Sequence, residues 1–351
     1  SFMAPRTAWS LAVRPSGCSA TSAVSGLRQP AAANNASVDA AMAVLLLLTF
    51  VGADRPGTPV PTNLIGGPYA RLLADSTDLG PARAARVQLT AALTEGTTPV
   101  GLTRWAGDHG LSVRWRAGDP WAVVEGPPDA VAGALDVAVH DYRGKHGQVF
   151  YASPQQPAVP EQVAAEVGQL GRILGYTPYH MGVPPMMPRD VPDGGLLPSE
   201  LITAYNLNPL LDGGFTGKGS TVVVFAFDGF DQRDLDSFSD WFDLPKFTPQ
   251  VVGGMPSQVH GEATMDIQMV HAIAPDAKIV LANARPTVEG DASYEKIGRL
   301  FESVDRQFPG AVWSLSIGWG CDRLLTTADL IPVRTALVAA LRHGTSASDA
   351  T

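Results

Sequence analysis

Cysteine is nearly missing from the sequence. Only Cys18 and Cys321 occur in 351 residues, which excludes a disulfide scaffold and a cysteine-based zinc site. Charged residues are also sparse at 17%, and positive charge is the scarcer sign, with 25 Lys+Arg against 34 Asp+Glu and a net charge of −9. That balance argues against a nucleic-acid partner, which needs a basic face. No apolar run reaches the roughly 18–20 residues of a membrane-spanning helix. What is present is a 45% hydrophobic fraction, enough to exclude wholesale disorder. The 36 Gly and 29 Pro suit a loop-rich α/β protein better than a helical bundle. The length predicts two domains.

Residues 1–38 are rich in Ala, Ser, Arg and Pro without apolar period, so they read as disordered or as leader. Residues 40–53 (AAMAVLLLLTFVGA) have the length of a signal-peptide apolar region, and Val51-Gly52-Ala53 offers a small-residue cleavage site. This predicts a leader over 1–53 and a secreted protein; a buried helix of ordinary length is the alternative.

The segment 54–174 contains an α+β pattern with a core at 84–153. Residues 85–93 alternate like a strand, 99–109 read as a helix ending at Gly110, and 111–116 and 121–125 alternate as two strands. A second helix is expected over 129–139 and a closing strand over 148–151. The order β-α-β-β-α-β is that of a split β-α-β, ferredoxin-like domain. Val163, Val167, Leu170 and Ile173/Leu174 then predict an amphipathic helix over 159–174. Residues 175–195 are crowded with Pro and Gly and read as an exposed linker open to proteolysis.

From 196 onward, strands and helices alternate. Residues 221–227 (TVVVFAF) form a continuous β-branched and aromatic run, the pattern of a buried parallel strand. Further strands are expected at 248–252, 278–283 and 312–317, with helices at 234–242, 262–274, 294–308 and 332–343. Alternation with short connections means a parallel sheet covered on both faces. The fold class is therefore α/β, and the chain stops at Thr351 where another strand of that sheet is due.

The sharpest chemical signal is Gly261-Glu262-Ala263-Thr264-Met265-Asp266 inside a helix. Glu262 and Asp266 are four apart and project from one helix face. Exposed acidic pairs of this kind are ordinary surface charge. Here Met269, Val270 and Ile273 continue the face and imply burial, where two carboxylates share protons and can serve as a general base and its support at acid pH. Asp228, Asp231, Asp234 and Asp236 follow a strand end and read as a solvated loop and helix start. His260 and His271 read as structural.

Gly-Glu-x-x-x-Asp, followed by His271-Ala272-Ile273-Ala274-Pro275-Asp276-Ala277-Lys278-Ile279, resembles the acidic-residue segment of the sedolisin family, the kumamolisin-like serine-carboxyl peptidases. Leu197-Pro198-Ser199-Glu200-Leu201 and Gly217-Lys218-Gly219 resemble the start of that family's catalytic domain. Residues 312–320 (VWSLSIGWG) are similar to its substrate-cleft strand, and 84–174 to its activation prodomain. The resemblance implies a subtilisin-like fold for 196–351, a prodomain acting as intramolecular inhibitor, and a protein or peptide substrate. It implies that Glu262 takes the proton of a serine hydroxyl and that Asp266 holds Glu262. It also implies that Gly318, Trp319 and Gly320 pair with extended substrate backbone; packing at a strand end is the other reading of Trp319.

Gly344-Thr345-Ser346 resembles the family's Gly-Thr-Ser nucleophile motif. The Pro that the family carries four residues after its serine is Ala350 here, and Ser346 lies much closer to Asp266 than the family's serine does. A Ser/Thr turn is the default for this cluster. The nucleophile and the oxyanion Asp are expected past Thr351, which makes the chain as given inactive. Calcium is implied for the family, with its ligands outside this chain. Two rivals remain: a non-catalytic peptide-binding or inhibitory relative, and an ordinary α/β protein whose acid pair is surface charge.

Overall fold

The computed structural model describes residues 63–177, 197–320 and 322–349. The expected leader, and all but the first three residues of the expected linker, lie outside the described residues. The protein is a mixed α/β structure with two antiparallel sheets and one parallel sheet. Among the described residues no helix is long and apolar enough to cross a membrane.

The N-terminal half runs α1 (Gly67–Ala74), β1 (Thr77–Pro81), β2 (Val87–Leu93), α2 (Val100–Asp108), β3 (Ser112–Arg114), β4 (Trp121–Gly126), α3 (Pro128–Leu135), β5 (His140–Arg143), β6 (Val149–Ala152) and β7 (Val167–Leu170). A four-stranded antiparallel sheet has the order β3-β4-β2-β7, which is the order a split β-α-β unit produces. Val87, Leu89 and Ala91 alternate into its core beside Leu102, Trp105 and Val124. Its closing strand is β7, and the expected strand near 148–151 instead joins β1 and β5 in a separate three-stranded sheet.

The amphipathic helix expected over 159–174 does not form. That stretch is a 3₁₀ turn (Glu161–Val163) followed by β7. Two glycines, Gly168 and Gly171, each cost a helix about 1 kcal/mol, and the free edge of β2 supplies backbone partners that a helix there would leave unused. Gly171 N–H donates to the Thr90 carbonyl at 2.7 Å. Glu166 is thereby turned onto the start of α2, where it accepts from Gly101 N and Leu102 N at 2.8 Å each.

The C-terminal half runs α4 (Pro198–Ala204), α5 (Asn208–Asp212), β8 (Thr221–Ala226), α6 (Gln232–Trp241), β9 (Gln250–Val252), α7 (Glu262–Ile273), β10 (Lys278–Asn283), α8 (Ser293–Gln307), β11 (Val312–Leu315), α9 (Thr327–Arg342) and β12 (Ser346–Asp349). Five parallel strands have the order β12-β11-β8-β10-β9. Alternate residues of β8 enter two cores: Val223 and Phe225 pack with Ile297, Phe301 and Trp313, and Val224 and Ala226 with Leu235, Ala263 and Ile267. Burial on both faces is why β8 reads as an unbroken apolar run. α9 starts five residues before the expected Pro332, because Thr326 and Asp329 form a capping box. Gly298 lets α8 cross this helix closely; a Cβ there would stand 2.7 Å from the Pro332 carbonyl oxygen.

The two halves meet along a seam of ion pairs. Arg114 makes a two-pronged contact with Glu295 at 2.9 and 2.7 Å and reaches back to Glu125 at 3.1 Å. Arg116 grips Glu302 in the same way and donates to Asp119 at 2.7 Å. Buried Asp119 also takes Arg299 at 2.6 Å, whose guanidinium lies over Trp121. Asp329 accepts from Arg172 N at 3.1 Å as well as from Thr326. Removing Asp119 takes a buried carboxylate away from two guanidiniums, Arg116 and Arg299, which keep only Glu302 as a partner. Asp119→Ala is therefore expected to cost about 1–3 kcal/mol, read as a lower urea midpoint at unchanged slope.

Candidate active site

In an open parallel sheet, ligands bind beyond the strand carboxyl ends where the chain reverses its direction of strand addition. Here that point lies between β8 and β11, because the chain adds β9 and β10 on one side of β8 and then crosses to add β11 and β12 on the other. Asp228 follows the end of β8, the segment 316–320 follows β11, and the start of α7 closes the third side.

α7 begins where expected. Its N-cap is Gly261 at φ +100, a left-handed backbone that favours glycine and brings no capping side chain. The cap comes from elsewhere: Asp228 Oδ2 accepts from His260 N at 2.9 Å and Gly261 N at 3.1 Å, and Oδ1 accepts from Ala263 N at 3.2 Å. Glu262 and Asp266 are both half-buried, whereas Ala263, Thr264, Ile267, Gln268 and His271 form the deeply buried face. The acid pair thus sits on the shoulder of the helix, between core and solvent.

Burial pushes the Asp266 carboxyl up to about 6, assisted by the negative charge of Asp228 and opposed by a hydrogen bond from the Ser316 hydroxyl. Its Oδ2 is buried without a hydrogen-bond partner. A folded-state value above the ordinary 3.9 means that the folded protein holds this proton more tightly than the unfolded chain. Asp266 therefore costs nothing below about pH 4, and the cost develops as pH rises through the folded value. Asp266→Asn is expected to raise stability by roughly 1–3 kcal/mol at pH 8. Urea denaturation at pH 4 should show the gain vanish; a gain of equal size at both pH values would refute the assignment.

Trp319 is anchored as a packing residue. Its Nε1–H donates to Thr287 Oγ1 at 2.7 Å, its carbonyl accepts from Tyr294 Oη at 3.2 Å, and its ring stands edge-on to Phe227 and Phe301. Gly318 is open, since a Cβ there would meet nothing within 4 Å, and exposed Gly320 has φ +94. Backbone on either side of a fixed indole is what remains available to an extended ligand.

Ser346 is not in a turn but opens β12, in register with Val312 at the amino end of β11. Ser316 lies four residues beyond Val312, about 13 Å along the strand. Ser346 is thus at the opposite end of the sheet from Asp266, which removes it as the partner of the acid pair.

His271 is fully buried, stacked on Phe247, with Nε2–H donating to the Pro245 carbonyl at 2.8 Å. Desolvation holds its pKa below the usual histidine value. His260 directs Nε2 at Gln258 Oε1, 3.0 Å away. Of the acids expected to be solvated, Asp231 caps α6 by accepting from Arg233 N, whereas Asp228 is buried in the site. Asp228 and Ser316 are the two site residues that sequence reasoning missed; the strand-end position of Asp228 was the available signal. Among the described residues no group of three His, Cys, Asp or Glu is arranged to hold a metal. No protein-family model matches the chain, and comparison with curated proteins returns no significant match.

Proposed function

We propose that the protein is the precursor of an acid-acting serine-carboxyl endopeptidase of the sedolisin type. In this reading the parallel-sheet half is part of a subtilisin-like catalytic domain, and the split β-α-β half is an activation prodomain. The observation that carries the reading is the acid pair on α7 at the sheet's switch point, with one carboxyl raised to about 6.

Below that pH Asp266 is protonated and can donate a hydrogen bond to Glu262, one helical turn away. Glu262 is then the group that accepts the proton of an attacking serine hydroxyl. The hydroxyl oxygen adds to the peptide carbonyl, the amine leaves with a proton returned by Glu262, and water hydrolyses the acyl-enzyme by the reverse path. Gly318 and Gly320 hold the substrate as an added strand.

The alternative reading is a non-catalytic peptide-binding or inhibitory relative. Acid processing separates the two. The protein expressed from its complete coding sequence should cut itself near pH 4 between the two halves, as followed by mass spectrometry, and Glu262→Gln should stop the cut. Peptide binding without any cleavage would establish the second reading.

A further inference from the structure

We propose that Asp228 is the positioning residue of the acid pair: from the end of β8 its buried carboxylate clamps the start of α7 and holds Glu262 and Asp266 at the carboxyl edge of the sheet. The inference rests on the reading of Glu262 and Asp266 as a working pair and adds a third acid to it, one that touches neither substrate nor reacting atoms.

The geometry supports a clamp in three respects. Asp228 is 3% exposed, and a carboxylate so buried needs several donors to be tolerated. Its three donors are main-chain N–H groups of His260, Gly261 and Ala263, so two of the gripped residues flank Glu262 directly. α7 has no capping side chain of its own at Gly261, so the first-turn donors that a helix leaves orphaned are met from a different strand. The backbone at Glu262 is therefore referenced to β8 and not to its own loop.

The second contribution is electrostatic. The groups that face Asp266 from neighbouring elements are Asp228 from the end of β8 and the Ser316 hydroxyl beyond β11, with Glu262 one turn earlier on α7. Asp228 opposes ionisation of Asp266 while the Ser316 hydroxyl favours it. Held by three N–H donors, the Asp228 carboxylate favours the state in which Asp266 keeps its proton.

The experiment uses the full chain with ¹³C-labelled aspartate and follows the Asp266 carboxyl carbon by NMR from pH 3 to 8. Asp228→Asn should lower the Asp266 midpoint by roughly half a pH unit or more. It should also speed amide exchange at Gly261 and Ala263 by roughly tenfold or more. Asp231→Asn, which removes a nearby surface charge from α6, should change neither. A purely structural cap would alter exchange but leave the Asp266 midpoint in place, and that result would overturn the proposal. An equal midpoint shift in Asp231→Asn would overturn it too. Should Asp228→Asn fail to fold, the wild-type protein still decides: fast exchange at Gly261 and Ala263 would mean that no clamp exists, and protection of both would support it. A shifted midpoint in a protein that never cleaves peptides supports the positioning role while rejecting the peptidase reading.

Discussion

Glu262→Gln should lower the rate of acid self-cleavage by about 10²–10⁴-fold, the range that a positioned general base contributes. Glutamine has nearly the same shape and still carries an oxygen able to accept a hydrogen bond, but it cannot take a proton at pH 4. The side chain lies in the first turn of α7, where loss of a negative charge costs a helix at most about 1 kcal/mol, so the variant should fold. Rates measured on substrate and urea midpoints measured in parallel separate the two effects. An unchanged rate would return the pair to the status of surface charge. On the proposed mechanism Asp266→Asn should behave differently, losing rate while gaining stability at neutral pH, because the folded state retains the Asp266 proton more tightly than the unfolded chain does.

Trp313→Ala should be the most destabilising single change in the parallel sheet. Trp313 is fully buried at the middle of β11 and meets Phe225 and Phe301 with ring centroids 5.2 Å away in each case. Truncating a tryptophan in such a core costs about 3–5 kcal/mol, a large share of the roughly 5–15 kcal/mol that separates folded from unfolded domains. Chemical denaturation should show a much lower midpoint and a partly unfolded population at 37 °C. Trp313→Phe tests the mechanism. The indole Nε1–H is buried without an acceptor, a penalty of about 1–3 kcal/mol that phenylalanine removes. The loss in that variant should therefore be small. A large loss would show that ring volume alone dominates.

Local patterns were legible where one stretch of chain carries the whole instruction. β10 spans the residues expected of it, because the buried apolar run 279–282 between Lys278 and Asn283 suits a covered parallel strand. α7 begins after Gly261 and ends ahead of Pro275 for the same reason. The helix expected over 159–174 failed because Val163, Val167 and Leu170 suit a helix face and are equally buried as a turn and an edge strand. Which of the two forms depends on β2, more than 70 residues earlier, whose free edge is invisible to a periodicity count.

The site divides along the same line. Residue order alone places Glu262 and Asp266 on one helix face, because 3.6 residues per turn brings positions four apart together. Composition alone excludes a cysteine-held metal and argues against a basic nucleic-acid face. Only the fold decides that Asp228, 34 residues before Glu262 in the chain, closes the start of α7. It also decides that Ser316 reaches Asp266 and that Ser346 stands at the far end of the sheet. These are matters of strand order, register and desolvation, which arise between segments and not within them. The scarcity of cysteine is written in the sequence, whereas the meeting of Asp228, Glu262 and Asp266 at the end of a parallel sheet is made by the fold.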